Sequence, residues 1–167
     1  MSKNQKTIDA IINRFKQATE VAVTPQESKR LGDLMARQVR TRTRLGYGAT
    51  QNGSQRKLDR LSERYKEYRE DHAEELSGAT TPGRSNLTAT GQMLDAIQAV
   101  GSRGKVVLEL VGKRTGELGG RRSRLTNAQV AKYVQEQGRR FFDFTKAERN
   151  FLVREVKQLV LAQLRKK

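Results

Sequence analysis

One run of the chain, Lys105 to Val111, alternates as a half-buried strand does. Val106, Leu108 and Leu110 fall on one side, and Val107, Glu109 and Val111 on the other. A lone strand leaves its backbone N–H and C=O groups without a ladder, so it needs partners. Residues 116–125 and 139–144 are the candidates within the chain, and another subunit is the alternative. The other apolar residues recur mostly at helical spacing. This combination predicts an α+β fold: a small antiparallel sheet packed by several helices, with an N-terminal helical extension.

The helices carry start and stop signals. Ile8, Ile11, Ile12, Phe15 and Ala18 make residues 5–20 a short amphipathic helix. Thr24-Pro25-Gln26-Glu27 then opens a second, with threonine as cap, proline in the first turn and Glu27 closing a capping box. Leu31, Leu34, Met35 and Val39 point inward on it, and Arg37, Arg40, Arg42 and Arg44 outward. Gly46 to Ser54 reads as a turn-rich loop containing Asn52-Gly53. Leu58, Leu61, Tyr65, Tyr68 and His72 form a short heptad-like stripe. Ser77 to Ser85 is a connector, and Asn86 caps a helix through Leu87, Met93 or Leu94, and Ile97. Gly101 and Gly104 bracket a turn. Gly112 to Leu125 is a long Gly- and Arg-rich contact loop. Thr126 with Gln129 boxes the next helix, which Gly138 ends, and Thr145 with Glu148 caps the last. Phe141, Phe142 and Phe144 read as core anchors for that last helix, which is apolar over a wide arc and expected to be buried.

Only 35% of the residues are hydrophobic and there is no Trp, so the core should be modest, with some helices packed on neighbouring subunits. Lys and Arg number 34 against 18 Asp and Glu, a net charge of +16 spread along the chain. That balance points to acidic partners, nucleic acid or acidic protein. With no cysteine there is no disulfide, thiolate metal site or Cys nucleophile. The polar, basic start from Met1 to Lys6 predicts no secretory signal, and no apolar run reaches membrane length.

Chemistry is sparse. His72 is the sole histidine and continues an apolar stripe, so packing outweighs catalysis or metal binding as its role. No G-x-S-x-G elbow is present. Gly112-Lys113-Arg114-Thr115 fails as a phosphate loop, because Val107 stands where glycine is needed and Arg114 where Ser or Thr is needed. Gly46-Tyr47-Gly48 fails as a dinucleotide fingerprint. No catalytic, cofactor or metal residues are therefore assigned. Arg37, Arg40 and Arg44 line one helix face, and Arg121, Arg122 and Arg124 cluster on a loop. These six are the candidate contacts to a protein interface or to phosphates, without base stacking because no aromatic residues are interleaved.

Ser85-Asn86-Leu87-Thr88-Ala89-Thr90-Gly91-Gln92-Met93-Leu94-Asp95-Ala96-Ile97 resembles the helix of the phage virion-morphogenesis and tail-completion (neck) family, which is followed by a strand, here Lys105–Val111. Asn127-Ala128, Tyr133, Gln135–Gly138, Arg140-Phe141-Phe142 and Thr145–Glu148 are similar to later family parts in the same order. Leu58-Asp59-Arg60-Leu61-Ser62 with Tyr65 is similar to an upstream helix of some members. The resemblance spans residues 55–160 and implies a neck/tail-completion-like domain at 55–167 behind an N-terminal helical arm at 1–54. It also implies a non-enzymatic subunit of a head–tail ring in the virion, assembled in the host cytoplasm. Its partners would be copies of itself, portal-connector and tail proteins, with non-specific contact to packaged DNA and no membrane. The competing expectation from charge alone is a small, basic, sequence-independent DNA-binding protein.

Overall fold

The computed structural model describes residues 3–76, 87, 91–113, 117–118, 121–122 and 125–165. Two long helices come first, α1 (Lys3–Ala22) and α2 (Pro25–Arg44). A short hairpin, β1 (Tyr47–Ala49) with β2 (Gln55–Lys57), and helix α3 (Glu63–Asp71) follow. A single turn, α4 (Gln92–Asp95), leads into β3 (Ile97–Ser102) and β4 (Lys105–Leu110). The two-residue strands β5 (Glu117–Leu118) and β6 (Arg121–Arg122) precede α5 (Asn127–Glu136) and α6 (Lys146–Arg165). All three strand pairs are antiparallel, and the fold is α+β as expected.

The partner of the expected strand is neither of the two candidate segments. It is β3, directly upstream, in the register Ile97↔Leu110 through Ser102↔Lys105. The sequence reading placed Ile97 at the end of a helix and gave Gly101 to a turn. The helix instead stops after one turn at Asp95, and the chain reverses at Gly104, whose φ is +67°. Of the candidates, the described residues of 116–125 pair β5 with β6 and not with β4, and 139–145 is irregular. Two further expectations shift for related reasons. The Gly46–Ser54 stretch, expected as a loop, contains strand β1, which pairs with β2 just beyond it, and Gly53 at φ +73° turns the chain between them. The stripe from Leu58 to His72 is not one helix, since Leu58 and Leu61 are buried in the extended stretch before α3 begins. The connector at 77–85 and the Asn86 cap lie outside the described residues.

The helix-start signals hold well. Thr24 accepts from the Glu27 amide at 3.2 Å, although the Glu27 carboxylate pairs with Arg30 instead of closing a box. Thr126 and Gln129 form a full reciprocal capping box. Thr145 and Glu148 do the same at the head of α6. Each such cap contributes about 1 kcal/mol.

Helix α2 is the hub. Residues 25–44, within the expected N-terminal arm, pack against β3, β4, β1 and α6. Ala36 and Val39 of α2 enter the core with Met93, Leu94, Ile97, Ala131 and Phe141. Phe141 is fully buried, as its anchor role requires, and Phe142 and Phe144 pack partly buried against the same cluster. Asn127 ties α5 to the end of β4 by donating from Nδ2 to the Val111 carbonyl at 3.0 Å. Helix α1 lies on α6.

Two glycines let α2 come close to the β3–β4 hairpin. A Cβ on Gly32 would lie 2.6 Å from the Ala99 Cβ and 2.7 Å from a Val106 methyl. One on Gly101 would meet the Lys29 backbone nitrogen at 2.5 Å. Alanine in place of glycine favours a helix by ~1 kcal/mol, whereas overpacking a tight contact costs ~1–3 kcal/mol. The clash outweighs the propensity here, so Gly32→Ala should lower the chemical-denaturation midpoint, with a net loss of about 1 kcal/mol. A gain in stability would show that the contact is looser than described.

Candidate functional site

The strongest polar feature inside the protein is centred on Arg42. The sequence reading placed this residue outward with the other arginines of α2, but it is buried. It continues the row Leu31, Met35, Val39 on the inward face. Its Nη1 donates to the Glu148 carboxylate, and its Nη2 to the carbonyls of Phe141 at 2.6 Å and Asp143 at 2.8 Å. The same Glu148 oxygen, Oε2, accepts from the Thr145 amide and hydroxyl at the start of α6. One guanidinium thus joins α2, the irregular 139–145 segment and α6. Burial pushes the Arg42 guanidinium below its ordinary value, while Glu148 and Asp143 pull the other way. Spacing alone could have revealed this arginine, because it lies three residues beyond Val39 on the buried stripe. A second buried cation, Arg69 on α3, went unnoticed in the sequence; desolvation lowers its pKa too.

The arginines expected as contacts do not form one cluster. Arg37 is exposed. Arg40 is half-buried and donates from Nε to the Ala36 carbonyl of its own helix at 3.3 Å. Arg44 is exposed and pairs with Asp95 of α4 at 2.5 Å. Arg121 and Arg122 form strand β6, and Arg124 lies outside the described residues. Of these three on α2, Arg44 alone pairs with a carboxylate, across to α4, while Arg40 bonds within its own helix and Arg37 stands at the surface. His72 ends α3, with Nδ1 2.8 Å from the Tyr68 carbonyl and its ring stacked on Tyr68 at 4.2 Å. Among the described residues no group of three or more His, Cys, Asp or Glu is placed to hold a metal ion. No helix among them is long and apolar enough to cross a membrane.

Among the described residues, Leu45, Tyr65, Leu125 and Tyr133 are exposed singly, and further uncovered apolar side chains lie on α1 with α6 and on the β3–β4 hairpin. On α1, Ile12, Phe15 and Val21 are exposed, and Ile12 and Phe15 line an open groove with Lys16, Thr19 and Glu20. Beneath α1, helix α6 is less buried than its wide apolar arc suggested. Phe151, Leu152, Val156 and Leu159 are only half-covered, Val160 is the one buried apolar side chain among its described residues, and Val153 is 66% exposed. The apolar side chains of α6 spread over a wide arc, and α1 with α2 covers only part of it. The second place is the outer face of the β3–β4 hairpin. There Val100 and Val107 are cross-strand neighbours and both are exposed.

Comparison with family models, with curated proteins and with solved structures finds no match.

Removing one partner of a buried ion pair strands the other, at a cost of ~3–5 kcal/mol. Arg42→Met should therefore lower the unfolding free energy by about 3 kcal/mol. Adding Glu148→Gln should recover part of that, because a glutamine oxygen still accepts from Thr145 while carrying no charge. A thermal melt of the two variants in which the double mutant is no better than the single would contradict the coupling described.

Proposed function

We propose that this chain is a structural subunit of a tailed-phage head–tail junction, a neck or tail-completion ring that joins the portal-connector to the tail around the DNA path. One observation carries the reading most: large apolar side chains stay uncovered in a single copy on separate elements, Ile12, Phe15 and Val21 on α1, Val153 on α6, and Val100 with Val107 on the outer face of the β3–β4 hairpin. Soluble monomers seldom expose grouped large apolar side chains unless something binds them. A closed ring requires a heterologous interface, in which one patch meets a different patch on the neighbour. Two unlike faces on separate elements meet that requirement. The ordered motifs from Leu58 to Glu148 add the resemblance to the neck family.

In this reading the protein performs no reaction. Its hub, α2 packed on the hairpin and latched to α6 by Arg42, acts as a stiff wedge that sets the angle between neighbouring copies. Portal-connector and tail proteins would bind above and below. Arg37, Arg40 and Arg44, with Arg121, Arg122 and Arg124, would serve as contacts to those proteins or to phosphates of the packaged DNA.

Sedimentation of the purified chain, alone and with portal complexes, tests the ring. Phe15→Glu with Val153→Glu should move assembly to a concentration at least about tenfold higher, ~1.4 kcal/mol per interface. Val100→Glu with Val107→Glu should do the same. Mixing the two variants should give dimers that cannot close, since each supplies the face the other lacks. Immunogold labelling should place the chain at the head–tail junction. A solitary monomer absent from finished particles would refute the reading.

A further inference from the structure

The β1–β2 hairpin and the segment between α5 and α6 enclose an open cleft of about 410 Å³. Arg56 and Lys57 come to it from β2, and Arg140 from the segment more than eighty residues later. The backbone fixes how these walls meet. The Ala49 amide donates to the Arg140 carbonyl at 2.9 Å, and a Cβ on Gly48 would lie 2.1 Å from that same oxygen. Only glycine allows the hairpin this close to Arg140. The hairpin turn contributes Thr50, Gln51 and Asn52 to the lining. With its amide oxygen turned toward Arg140, Gln51 accepts from the guanidinium at 3.1 Å and 3.3 Å. The Lys146 amide donates to the Gly53 carbonyl at 2.6 Å, which holds the start of α6 against the turn.

The charges facing one another are unequal. Asp59 is the near acidic group: it pairs with Arg56 at 2.7 Å and lies close to Gly138 on the rim. Lys57 is exposed, and among the described residues no ion pair is recorded for it or for Arg140. Three cations against one half-exposed carboxylate leave the cleft positive.

We propose that this cleft binds the sugar–phosphate backbone of duplex DNA without reading its sequence. The lining has what phosphate contacts use: Arg and Lys heads with Asn, Gln and Thr side chains. It lacks what an acidic protein partner would need, because its largest apolar residue, Leu58, is buried and no aromatic anchor is present. It also lacks aromatic platforms for stacking single-stranded bases. A small free anion would call for enclosed donors, whereas these cations are exposed and the cleft is open. A polyanion fits better, since each neutralised phosphate releases counterions, and the whole chain carries +16. The site belongs to a single copy and does not depend on the ring.

Fluorescence anisotropy of a labelled duplex over a salt series tests it on the full-length chain. The triple variant Arg56→Gln, Lys57→Gln, Arg140→Gln should bind at least about tenfold more weakly, with the salt slope reduced by about two to three. A control triple with the same change of charge, Lys105→Gln, Lys132→Gln, Lys157→Gln, should lose less than about threefold, since those lysines lie outside the cleft. Lys57→Gln alone leaves every recorded structural contact intact and should lower the slope by about one, which decides the matter if the triple variant does not fold. Equal losses in the two triples would overturn the proposal, as would wild-type affinity in the cleft variants. Binding of polyglutamate as tight as that of duplex would assign the cleft to an acidic protein instead. Assembly should be unchanged in the cleft variants, and DNA affinity per copy unchanged in the ring variants, so each idea fails separately.

Discussion

The closeness of α2 to the β3–β4 hairpin sets the rest of the structure. An isolated two-stranded ribbon is barely stable in water and needs a covering element. Here one helix serves, held near enough by Gly32 and Gly101 for its backbone to lie almost on the strands. With so little apolar material available, contact at short range replaces bulk, and dispersion falls off too steeply for a wider gap to be equivalent. The hairpin's inner side chains, Ile97, Ala99, Leu108 and Leu110, then meet α2, α4 and α5 in a core that a chain of 35% hydrophobic content can fill.

Covering one face of the hairpin leaves the other bare. Its inner face is used by α2, so Val100 and Val107 remain outside, and the same economy leaves α6 half-dressed. Polar interactions supply part of what apolar burial does not. The Arg42 guanidinium gathers two carbonyls from a stretch with little regular structure and a carboxylate from the first turn of α6, and so fixes where α6 begins. The Arg140 carbonyl docks β1 in the same stretch. Residues 139–145 are thus irregular in shape but held from both sides, and they place the cleft and the α6 face relative to each other.

Local signals were legible in the sequence where the physics is local. Thr24, Thr126 and Thr145 marked three helix starts correctly, because a cap is a contract between neighbours three residues apart. The alternation of Lys105–Val111 marked β4. Its partner was hidden because Ile97–Ser102 contains alanine, glycine and serine, which carry little strand signal, and because Met93, Leu94 and Ile97 also match a helix. Tertiary pairing decided between the two. Arg42 was misplaced by the habit of sending every arginine to solvent; its acceptors are about a hundred residues away and invisible locally. The cleft escaped notice for a similar reason, since Arg56 and Arg140 become neighbours only through the Gly48 contact. The candidate arginines on α2 are at or near the surface, but nothing in their spacing announced that Arg44 would be taken by Asp95.

One oxygen of Glu148 ends up serving both a local and a distant purpose. It completes the first turn of α6 through Thr145 and simultaneously receives the charge of Arg42 from another helix. Secondary and tertiary structure therefore share a single acceptor, so fraying of α6 at that end also removes the carboxylate that Arg42 of α2 depends on. Amides in the opening turn of α6 should exchange with solvent in the same events that release Arg42, not in independent fraying of that end.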